Sequence, residues 1–463
     1  MAKTELHSKV AGKPEQRIPG LQDDWWTDVC PDMWKSHGSF LVDADGQEYL
    51  DYFGFLSTAP IRYDHPRLRD KAFLEKLAKA AFYRPSLADF WTEELAEFVD
   101  ALRKYGTPDY LHHYFFIDGG SLAVENALKA AFDWKVRRNI EKGLIKNDPV
   151  EDLEPLGTKV ICFESAFHGR SGYTLSMTHT NDSRKYKYFP KFNWYRVEPP
   201  VLMFNSDGSI ANADEAGARE KEAVGALRKI LEENGDDVGA MVIEPIQCEG
   251  GDRHMPLSFF KQMRQLCDEH DVILVFDEVQ TGFGTTGKMW GHEHFGPDAR
   301  PDVIAFSKKS QVGGVMANHD RFARYGDHVF SNTDGGKSRL NSTWGGHPTD
   351  MLRGAEFLKI IHEENLLDNA LAQGEVLLEG LKTLCKKYGS VIENPRGKGM
   401  LLGIDAKTPE MQSALWGAMK EERLLGLTCG TRTIRFRPHL DLTDKEAVLG
   451  LERLEKALKR IAV

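Results

Sequence analysis

The chain has 463 residues, enough for about three domains or for one large domain with an appendage. Its formal net charge of -10 disfavours nucleic acids and anionic membrane surfaces as main partners, but not small anionic ligands. No apolar run approaches the ~20 residues of a membrane span, and polar residues 1–20 lack the apolar core of a signal peptide. The six cysteines are scattered without a CxxC pair. We therefore expect free thiols in a reducing cytoplasm and predict no metal site.

The N-terminal region is predicted to contain a short hairpin. Residues 1–20 are expected to form a disordered tail, and residues 21–65 to pack with a small C-terminal domain. Within them, Ser39–Asp51 has a strand–turn–strand pattern with Asp45-Gly46 at the turn. A helix-rich stretch follows over about residues 66–105. The large domain is predicted over residues 66–345.

From about Tyr110 to Met316, short apolar strands alternate with helices, which favours a parallel sheet with helices on both faces. The fold class is therefore α/β, with a mainly parallel sheet. The predicted strands are Tyr114–Ile117, Val160–Phe163, Met241–Glu244, Val272–Phe276 and Val303–Phe306. The predicted helices are Leu122–Arg138, Asp214–Glu233 and Ser258–Glu269.

The remainder of the chain, residues 346–463, is predicted to form a small α+β domain. Helical periodicity covers Met351–Tyr388. The segment Arg432–Pro438 and a helix at Asp444–Ile461 complete this unit.

The most informative strand is Val272–Phe276, because its apolar run ends abruptly in Asp277. In open α/β sheets, ligands bind beyond the carboxyl ends of the strands. A carboxylate there is costly to bury unless a cationic group pairs with it. The sequence therefore predicts a ligand with a positively charged group near Asp277.

Two other strand ends carry residues suited to an anionic, planar ligand. After Ile117, the segment Asp118-Gly119-Gly120-Ser121 precedes a helical run, and its N–H groups could bind phosphate; a tight turn with Ser121 as N-cap is the alternative. After Phe163, the pair Phe167 and Arg170 could cover a ring and hold a carboxylate. A core phenylalanine and a surface arginine are the alternative.

Acidic and basic residues follow the remaining strands. Glu244 and Glu249 lie just beyond a strand, where Glu244 could instead satisfy loop N–H groups and Glu249 could be solvated. The strand ending at Phe306 is followed by Lys308 and Lys309, whose side chains should point in opposite directions. One lysine can therefore enter the site, where burial would make it a nucleophile for carbonyls.

A P-loop ATPase is a rival interpretation of the segment Gly282–Met289, which follows the acids Asp277 and Glu278. Met289 stands where a magnesium-binding hydroxyl is needed, and no strand immediately precedes the loop. The acids also lie only a few residues upstream of the loop, whereas the two elements of an ATPase should be on separate strands. This alternative is therefore disfavoured.

Together these residues supply the phosphate, ring and amine contacts that pyridoxal phosphate needs. The same residues also resemble the motifs of a known family. From about Phe40 to the C-terminus the chain resembles the class III aminotransferases of the fold-type-I superfamily of pyridoxal phosphate enzymes. The motifs that carry the resemblance are Phe167–Arg170, Glu244-Pro245-Ile246, Asp277–Gly282 and Lys308. The resemblance implies a pyridoxal 5'-phosphate cofactor and a homodimer with its sites at the interface.

The resemblance also implies roles for individual residues. Asp277 would pair with the pyridine nitrogen of the cofactor, and Gln280 with its ring hydroxyl oxygen. Phe167 and Val279 would sandwich the ring. The further cofactor contacts would be Gly120 and Ser121 at the phosphate, Glu244, Lys308, and Thr343 from a second subunit. Lys308 and Asp277 would be the catalytic residues.

The identity of the Schiff-base lysine depends on how the motif is counted. Counting from the strand start at Asp302-Val303 gives Lys308. Counting back from Gly313-Gly314 favours Lys309, because this loop is one residue longer than the common pattern. The strand fixes side-chain direction better than a loop, so Lys308 is the prediction.

Within the family, three segments resemble members that act on L-lysine: Val124–Lys135, Gly250–His254 and Ser338–Gly346. These members transfer the ε-amino group of L-lysine to 2-oxoglutarate, giving 2-aminoadipate 6-semialdehyde and L-glutamate. Family members acting on 4-aminobutyrate or ornithine are the alternatives. A regulatory relative without a cofactor is disfavoured, because Lys308 and Asp277 are both present.

The same resemblance implies four substrate-binding residues. Arg170 would hold the carboxylate of lysine at the distal end of the site, with Asn341 as a further contact. Arg435 would hold the α-carboxylate of glutamate, close to the cofactor. Glu249 would pair with Arg435 while lysine reacts and would swing aside for the keto acid.

Overall fold

The computed structural model describes residues 29–146, 149–331 and 339–462. The tail predicted over residues 1–20 lies outside the described residues. The strands are β1 Phe40–Val42, β2 Glu48–Asp51, β3 His113–Ile117, β4 Lys159–Phe163, β5 Tyr195–Val197, β6 Val238–Ile243, β7 Ile273–Asp277, β8 Val303–Phe306, β9 Gly313–Ala317, β10 Ile392–Lys398, β11 Leu401–Ala406, β12 Leu424–Leu425, β13 Leu427–Cys429 and β14 Thr433–Phe436.

The described helices alternate one by one with strands only between β3 and β7. They are α1 Gly54–Ser57, α2 Lys71–Ala80, α3 Glu93–Tyr105, α4 Gly120–Glu141, α5 Gly172–Met177, α6 Ala213–Asn234, α7 Leu257–Glu269, α8 His319–Phe322, α9 Pro348–Glu363, α10 Leu366–Lys387, α11 Pro409–Glu421 and α12 Asp444–Ile461. Within the described part of the chain, no helix combines the length and apolar character needed to cross a membrane.

A central sheet of seven strands has the order β3-β9-β8-β7-β6-β4-β5. Neighbouring strands are parallel from β8 to β5, whereas β9 runs antiparallel to both β8 and β3. Every residue of β6, β7 and β8 is buried, as expected for a sheet covered on both faces. The α/β prediction is confirmed, and the carboxyl ends of β3, β4, β6, β7 and β8 meet at one edge.

A smaller antiparallel sheet, β10-β11-β14-β13, forms near the C-terminus. Helix α12 begins with a capping box, in which Glu446 N–H donates to the Thr443 hydroxyl (3.3 Å) and Thr443 N–H donates to the Glu446 carboxylate (2.9 Å). Strand β2 pairs in parallel with β12, so residues near Leu50 contact the C-terminal part of the chain.

The helical periodicity predicted over Met351–Tyr388 corresponds to two helices, α9 and α10. They are separated at Asn365, whose backbone is left-handed at φ 54° and therefore ends one helix before the next begins. The sequence analysis did not predict strand β9. Its two leading glycines have low strand propensity, yet a side chain at Gly313 would lie 2.6 Å from the carbonyl oxygen of Gly119.

Candidate active site

Helix α4 begins beside a cluster of hydroxyl groups at the carboxyl edge of the central sheet. The Ser121 hydroxyl oxygen lies 2.6 Å from those of both Ser171 and Thr174. A Cβ atom at Gly120 would lie 2.8 Å from a methyl carbon of Val279, so only glycine fits between them. A helix N-terminus with nearby hydroxyls and no obstructing side chain is suited to phosphate.

The carboxylate of Asp277 ends strand β7 and is almost completely buried, with 5% of the residue exposed. Its two oxygens have separate partners: His168 Nδ1 lies 2.8 Å from Oδ2, and Val279 N–H donates to Oδ1 over 3.1 Å. An ionised carboxylate offers about four lone-pair sites, so Asp277 can accept a further hydrogen bond from a cationic ligand. Asp277 thus lies in the interior, where its charge needs partners.

The two adjacent lysines diverge. Lys309 is buried, and its ammonium nitrogen lies 3.2 Å from the carbonyl oxygen of Ser57, away from Asp277. Lys308 has a left-handed backbone, with φ 58°, and shares its surroundings with Arg435 and Asp277. Burial, followed by the charge of Arg435, lowers the pKa of Lys308 to about 8. An amine of lowered pKa is the more readily available nucleophile.

Glu249 lies between two cationic side chains. Arg435 Nη2 lies 2.5 Å from one carboxylate oxygen of Glu249, and the Lys185 ammonium contacts the other. Burial alone would raise the pKa of Glu249, but Arg435 and Lys185 outweigh this effect and hold the pKa below its ordinary value. The sequence alternative of a solvated Glu249 is wrong, since its side chain is only 17% exposed.

Arg435 retains unused hydrogen-bonding capacity. The residue is 2% exposed, and its Nε and Nη1 atoms are buried without a hydrogen-bond partner. Buried guanidinium donors without partners are costly, and a bound carboxylate would satisfy them. Arg435 is therefore able to bind an anionic substrate group when Glu249 releases it.

Glu244 has a local role in the loops that surround the site. Its carboxylate accepts hydrogen bonds from the N–H groups of Phe167 (3.0 Å) and Cys248 (3.1 Å). The alternative in which Glu244 satisfies loop N–H groups therefore describes the observed contacts, while its part in cofactor binding stays a prediction. Burial, reinforced by the charge of Asp277, raises the pKa of Glu244 to about 8.

Replacing Glu244 by glutamine is expected to change how the stability of the protein depends on pH. Because the pKa of Glu244 is raised in the folded state, that state binds the extra proton between about pH 4.5 and pH 8. Stability from this group is therefore lost as pH rises through that window. Melting temperatures at pH 5.5 and pH 8 should differ less in Glu244→Gln than in the wild type. If the difference between the two melting temperatures were the same in both proteins, the raised pKa of Glu244 would be contradicted.

The remaining predicted residues are half-buried or exposed and lie outside the group formed by Asp277, Lys308, Glu249 and Arg435. Phe167 is half-buried, and the Lys185 ammonium lies 5.7 Å from its ring centroid. Asn341 is exposed and donates to Asp89 over 3.2 Å. The other predicted residues are the half-buried Val279 and Gln280 and the exposed Arg170 and Thr343. The single chain thus brings together Asp277, Lys308, Glu249 and Arg435, but leaves Arg170, Asn341 and Thr343 at the surface.

Two residues of this site were not predicted from the sequence. His168 lies within the motif Phe167–Arg170, but only the fold brings its ring to Asp277 across 109 positions of the chain. Lys185 lies in a short turn whose charged residues resemble an ordinary surface loop. The position of His168 beside Phe167 is the only signal that could have indicated either residue.

Comparison with known proteins identifies the class. The family description "Aminotransferase class-III" matches residues 24–458. L-lysine-epsilon aminotransferase of Mycobacterium tuberculosis is 40% identical over 433 residues, covering 93% of this chain and 92% of the relative. The chain therefore belongs to the class III aminotransferases. Human mitochondrial 4-aminobutyrate aminotransferase is a more distant relative, 32% identical, with 90% of this chain and 82% of the relative covered.

The fold agrees with this assignment. The solved structure of lysine aminotransferase from M. tuberculosis superposes with a TM-score of 0.88 at 39% identity, covering 95% of this chain and 97% of that one. An omega transaminase from Pseudomonas jessenii has a TM-score of 0.76 at 19% identity, covering 93% of this chain and 92% of that one, and supports the fold alone.

Class III aminotransferases use pyridoxal phosphate, and the observed residues fit this cofactor. The hydroxyl cluster beside Gly120 suits its phosphate. The buried carboxylate of Asp277 suits a protonated ring nitrogen, and the low pKa of Lys308 suits an amine that bonds to an aldehyde.

Proposed function

We propose that the protein transfers the ε-amino group of L-lysine to 2-oxoglutarate, forming 2-aminoadipate 6-semialdehyde and L-glutamate. The observation that carries this proposal is the ion pair between Arg435 and Glu249. A cation near the reacting centre suits the α-carboxylate of glutamate. Its masking by Glu249 suits a donor with a terminal amine, such as lysine, whose reacting carbon bears no carboxylate. The similarity to L-lysine-epsilon aminotransferases supports the choice of lysine.

The cofactor contacts are proposed as follows. Asp277 binds the pyridine nitrogen, Gln280 the ring hydroxyl oxygen, and Phe167 and Val279 the two faces of the ring. Pyridoxal phosphate supplies an electron sink for the substrate carbon that loses its proton. The phosphate contacts are Gly120, Ser121 and Thr343 of a second subunit, and Glu244 supports the loop that carries Phe167.

Lys308 is proposed to act both as the amine that holds the cofactor and as the proton carrier. Its pKa of about 8 means that a sizeable fraction of the free amine is unprotonated near neutral pH. The neutral amine can accept a proton from the substrate carbon beside the reacting nitrogen, and its ammonium form can return that proton. Partial burial of Lys308 limits exchange of this proton with water.

Substrate orientation follows from the two arginines. Arg170 is proposed to bind the carboxylate of lysine at the distal end, with Asn341 as a second contact. Arg170 has no ion-pair partner within the described residues, so its guanidinium is available. Arg435 binds the α-carboxylate of glutamate or 2-oxoglutarate after Glu249 moves away.

Glu249→Ala is expected to weaken the half-reaction with lysine more than the half-reaction with glutamate. Without Glu249, the charge of Arg435 is exposed where lysine places an uncharged carbon. Loss of one partner from a buried ion pair costs about 3–5 kcal/mol, so the lysine rate should fall by about 10²-fold or more. Stopped-flow absorbance of each half-reaction measures the effect. Glu379→Ala, a change of an exposed glutamate, is the control, and equal losses in Glu249→Ala would refute the switch.

A panel of amine donors with 2-oxoglutarate tests the function itself. L-Lysine should support the fastest turnover, and mass spectrometry should detect the semialdehyde or its cyclised product. The distant similarity to 4-aminobutyrate aminotransferase makes 4-aminobutyrate the second candidate donor, with ornithine as the third. Turnover with 4-aminobutyrate and none with lysine would replace the proposed donor.

We also infer a cytoplasmic homodimer. The aromatic side chains of Phe82, Tyr83, Phe90 and Trp91 are 70–89% exposed in the single chain, which is typical of an interaction surface. The six cysteines all lie within the described residues, and none of them forms a disulfide. This agrees with a reducing compartment. Light scattering after size-exclusion chromatography should give twice the mass of the chain.

A further inference from the structure

Three histidines from separate segments meet at the opposite edge of the central sheet from the active site. His113 begins β3, His319 begins α8, and His328 lies in the following loop. Strand β3 has five residues, so His113 lies roughly 13 Å from Ile117, which leads into the phosphate-binding segment. The cluster is therefore separate from the active site, although one strand connects them.

The ring nitrogens of this cluster face one another. His113 Nε2 lies 2.9 Å from His319 Nδ1, and one nitrogen of each of the three rings lies within 4.8 Å of the other two. His328 is 5% exposed, and its Nδ1 atom is buried without a hydrogen-bond partner. Pairing of His113 with His319 therefore leaves a buried nitrogen unsatisfied, which is unfavourable unless a ligand occupies the space between the rings.

We propose that His113, His319 and His328 bind a divalent transition-metal ion, with Zn²⁺ as the best match. Imidazole nitrogens suit zinc, and three histidines leave a fourth position for water. Nitrogens bound to tetrahedral zinc lie about 3.3 Å apart for bonds of about 2.05 Å. The 2.9 Å separation between His113 and His319 must therefore open slightly, while separations of up to 4.8 Å must shorten. The exposed His319 can move to allow this adjustment.

The surroundings fix the ring of His113 and place two carboxylates near His328. The ring of His113 is stacked on that of Phe330, with centroids 5.1 Å apart and planes 3° apart. The carboxylates of Asp327 and Asp133 interact electrostatically with His328, but both also form ion pairs with Arg137 and Arg339. A bound ion would join the edge strand β3 to the segment that contains α8, so we assign it a stabilising role.

The test measures metal binding by the intact holoenzyme with Zn²⁺ and with the spectroscopic probe Co²⁺. One Co²⁺ per chain should give the visible absorption of a tetrahedral site, and Zn²⁺ should displace it and raise the melting temperature. His319→Ala should weaken binding by more than about tenfold, because it removes a ligand. His112→Ala, which changes an exposed neighbour outside the cluster, should leave binding unchanged.

Two outcomes would overturn the metal site. One is the absence of saturable binding at one ion per chain, and the other is equal affinity in the wild type and His319→Ala. Because His319 is exposed, its variant should fold even where changes of the buried His328 do not.

A second inference rests on the proposed function and concerns Lys185. We infer that Lys185 is a positioning residue that retains Glu249 when Glu249 leaves Arg435. Each oxygen of the Glu249 carboxylate contacts a different cation, Arg435 or Lys185, and the Lys185 side chain is 15% exposed. Releasing a largely buried carboxylate without a partner is costly. Lys185 reduces this cost because one ion pair survives the movement.

Removing Lys185 is expected to slow the half-reaction with 2-oxoglutarate, whereas removing Glu249 slows the half-reaction with lysine. In Lys185→Met, Glu249 depends on Arg435 alone and should release it less readily. The half-reaction with 2-oxoglutarate should therefore slow by about tenfold or more, while the lysine half-reaction changes little. Lys185→Arg restores the cation and should recover the rate. In the Glu249→Ala background, Lys185→Met should have no further effect on the ratio of the two rates.

Stopped-flow rates of both half-reactions distinguish this inference from the proposed function. Absence of a lysine half-reaction in the wild type would count against the function. Two results would contradict the role inferred for Lys185 and leave the proposed function intact. One is equal slowing of both half-reactions in Lys185→Met. The other is that Lys185→Met changes the ratio of the two rates by the same factor in the Glu249→Ala background.

Discussion

Lys308→Ala is expected to abolish transamination and to remove the visible absorbance band given by a cofactor joined covalently to a lysine. The side chain is proposed both to bond to the aldehyde and to carry the proton, so no neighbouring group replaces it. Proton transfer by a positioned side chain contributes about 10²–10⁴-fold, and kcat should fall by about 10⁴-fold once the covalent role is also lost. Steady-state rates and absorbance spectra of the purified variant measure both effects.

Lys309 provides a matched control, because it is adjacent, basic and more deeply buried. Its ammonium contacts Ser57, and burial lowers its pKa well below the ordinary value. Lys309→Met keeps most of the volume and should keep the absorbance band. It leaves the Ser57 carbonyl with one donor fewer, which should cost about 1–3 kcal/mol of stability. A lower melting temperature with an intact band is thus the expected result.

Borohydride reduction identifies the modified lysine directly. Reduction of the holoenzyme should fix the cofactor on one peptide, and fragmentation should locate the added mass at Lys308. A label at Lys309 would reverse the assignment and would require the Lys309 side chain to leave its contacts with Ser57.

The architecture of the central sheet could be predicted because its signals are local. Strands such as Val303–Phe306 are short apolar runs. The candidate functional residues lie at the end of each strand, where the chain changes from apolar to polar residues. The prediction for the sheet was close, with Asp277 lying inside β7 rather than just after it. Strand β9 was missed, because adjacent glycines at positions 313 and 314 indicate a loop in the sequence. In the structure, Gly313 and Gly314 allow close packing of the backbone within the sheet.

The contacts that tune the site could not be predicted, because they join distant parts of the chain. Arg435 and Glu249 are 186 positions apart, and only their family resemblance suggested the pair. The hydrogen bond from His168 to Asp277 and the contact of Lys185 with Glu249 carried no pattern in the sequence. The contribution proposed for Thr343 of a second subunit stays a prediction.

Asp277→Asn should reduce kcat by about 10²- to 10⁴-fold while the protein remains folded. The substitution preserves the shape of the side chain but removes the charge proposed to keep the cofactor's ring nitrogen protonated. Loss of one partner from a buried charge pair costs about 3–5 kcal/mol, and each 1.36 kcal/mol corresponds to a tenfold change in rate. An uncharged amide also offers His168 Nδ1 a different partner, so the ring should become less firmly held.

The matched control for Asp277→Asn is Asp252→Asn, which neutralises an equally buried carboxylate outside the proposed chemistry. Asp252 binds Arg437 through two contacts, one of 3.0 Å, so its loss should lower the melting temperature with a much smaller change in kcat. In Asp277→Asn the order should be reversed, with catalysis falling more than stability. If Asp277→Asn retained more than a tenth of the wild-type kcat with lysine, the buried carboxylate would not be the group that keeps the cofactor electron-withdrawing.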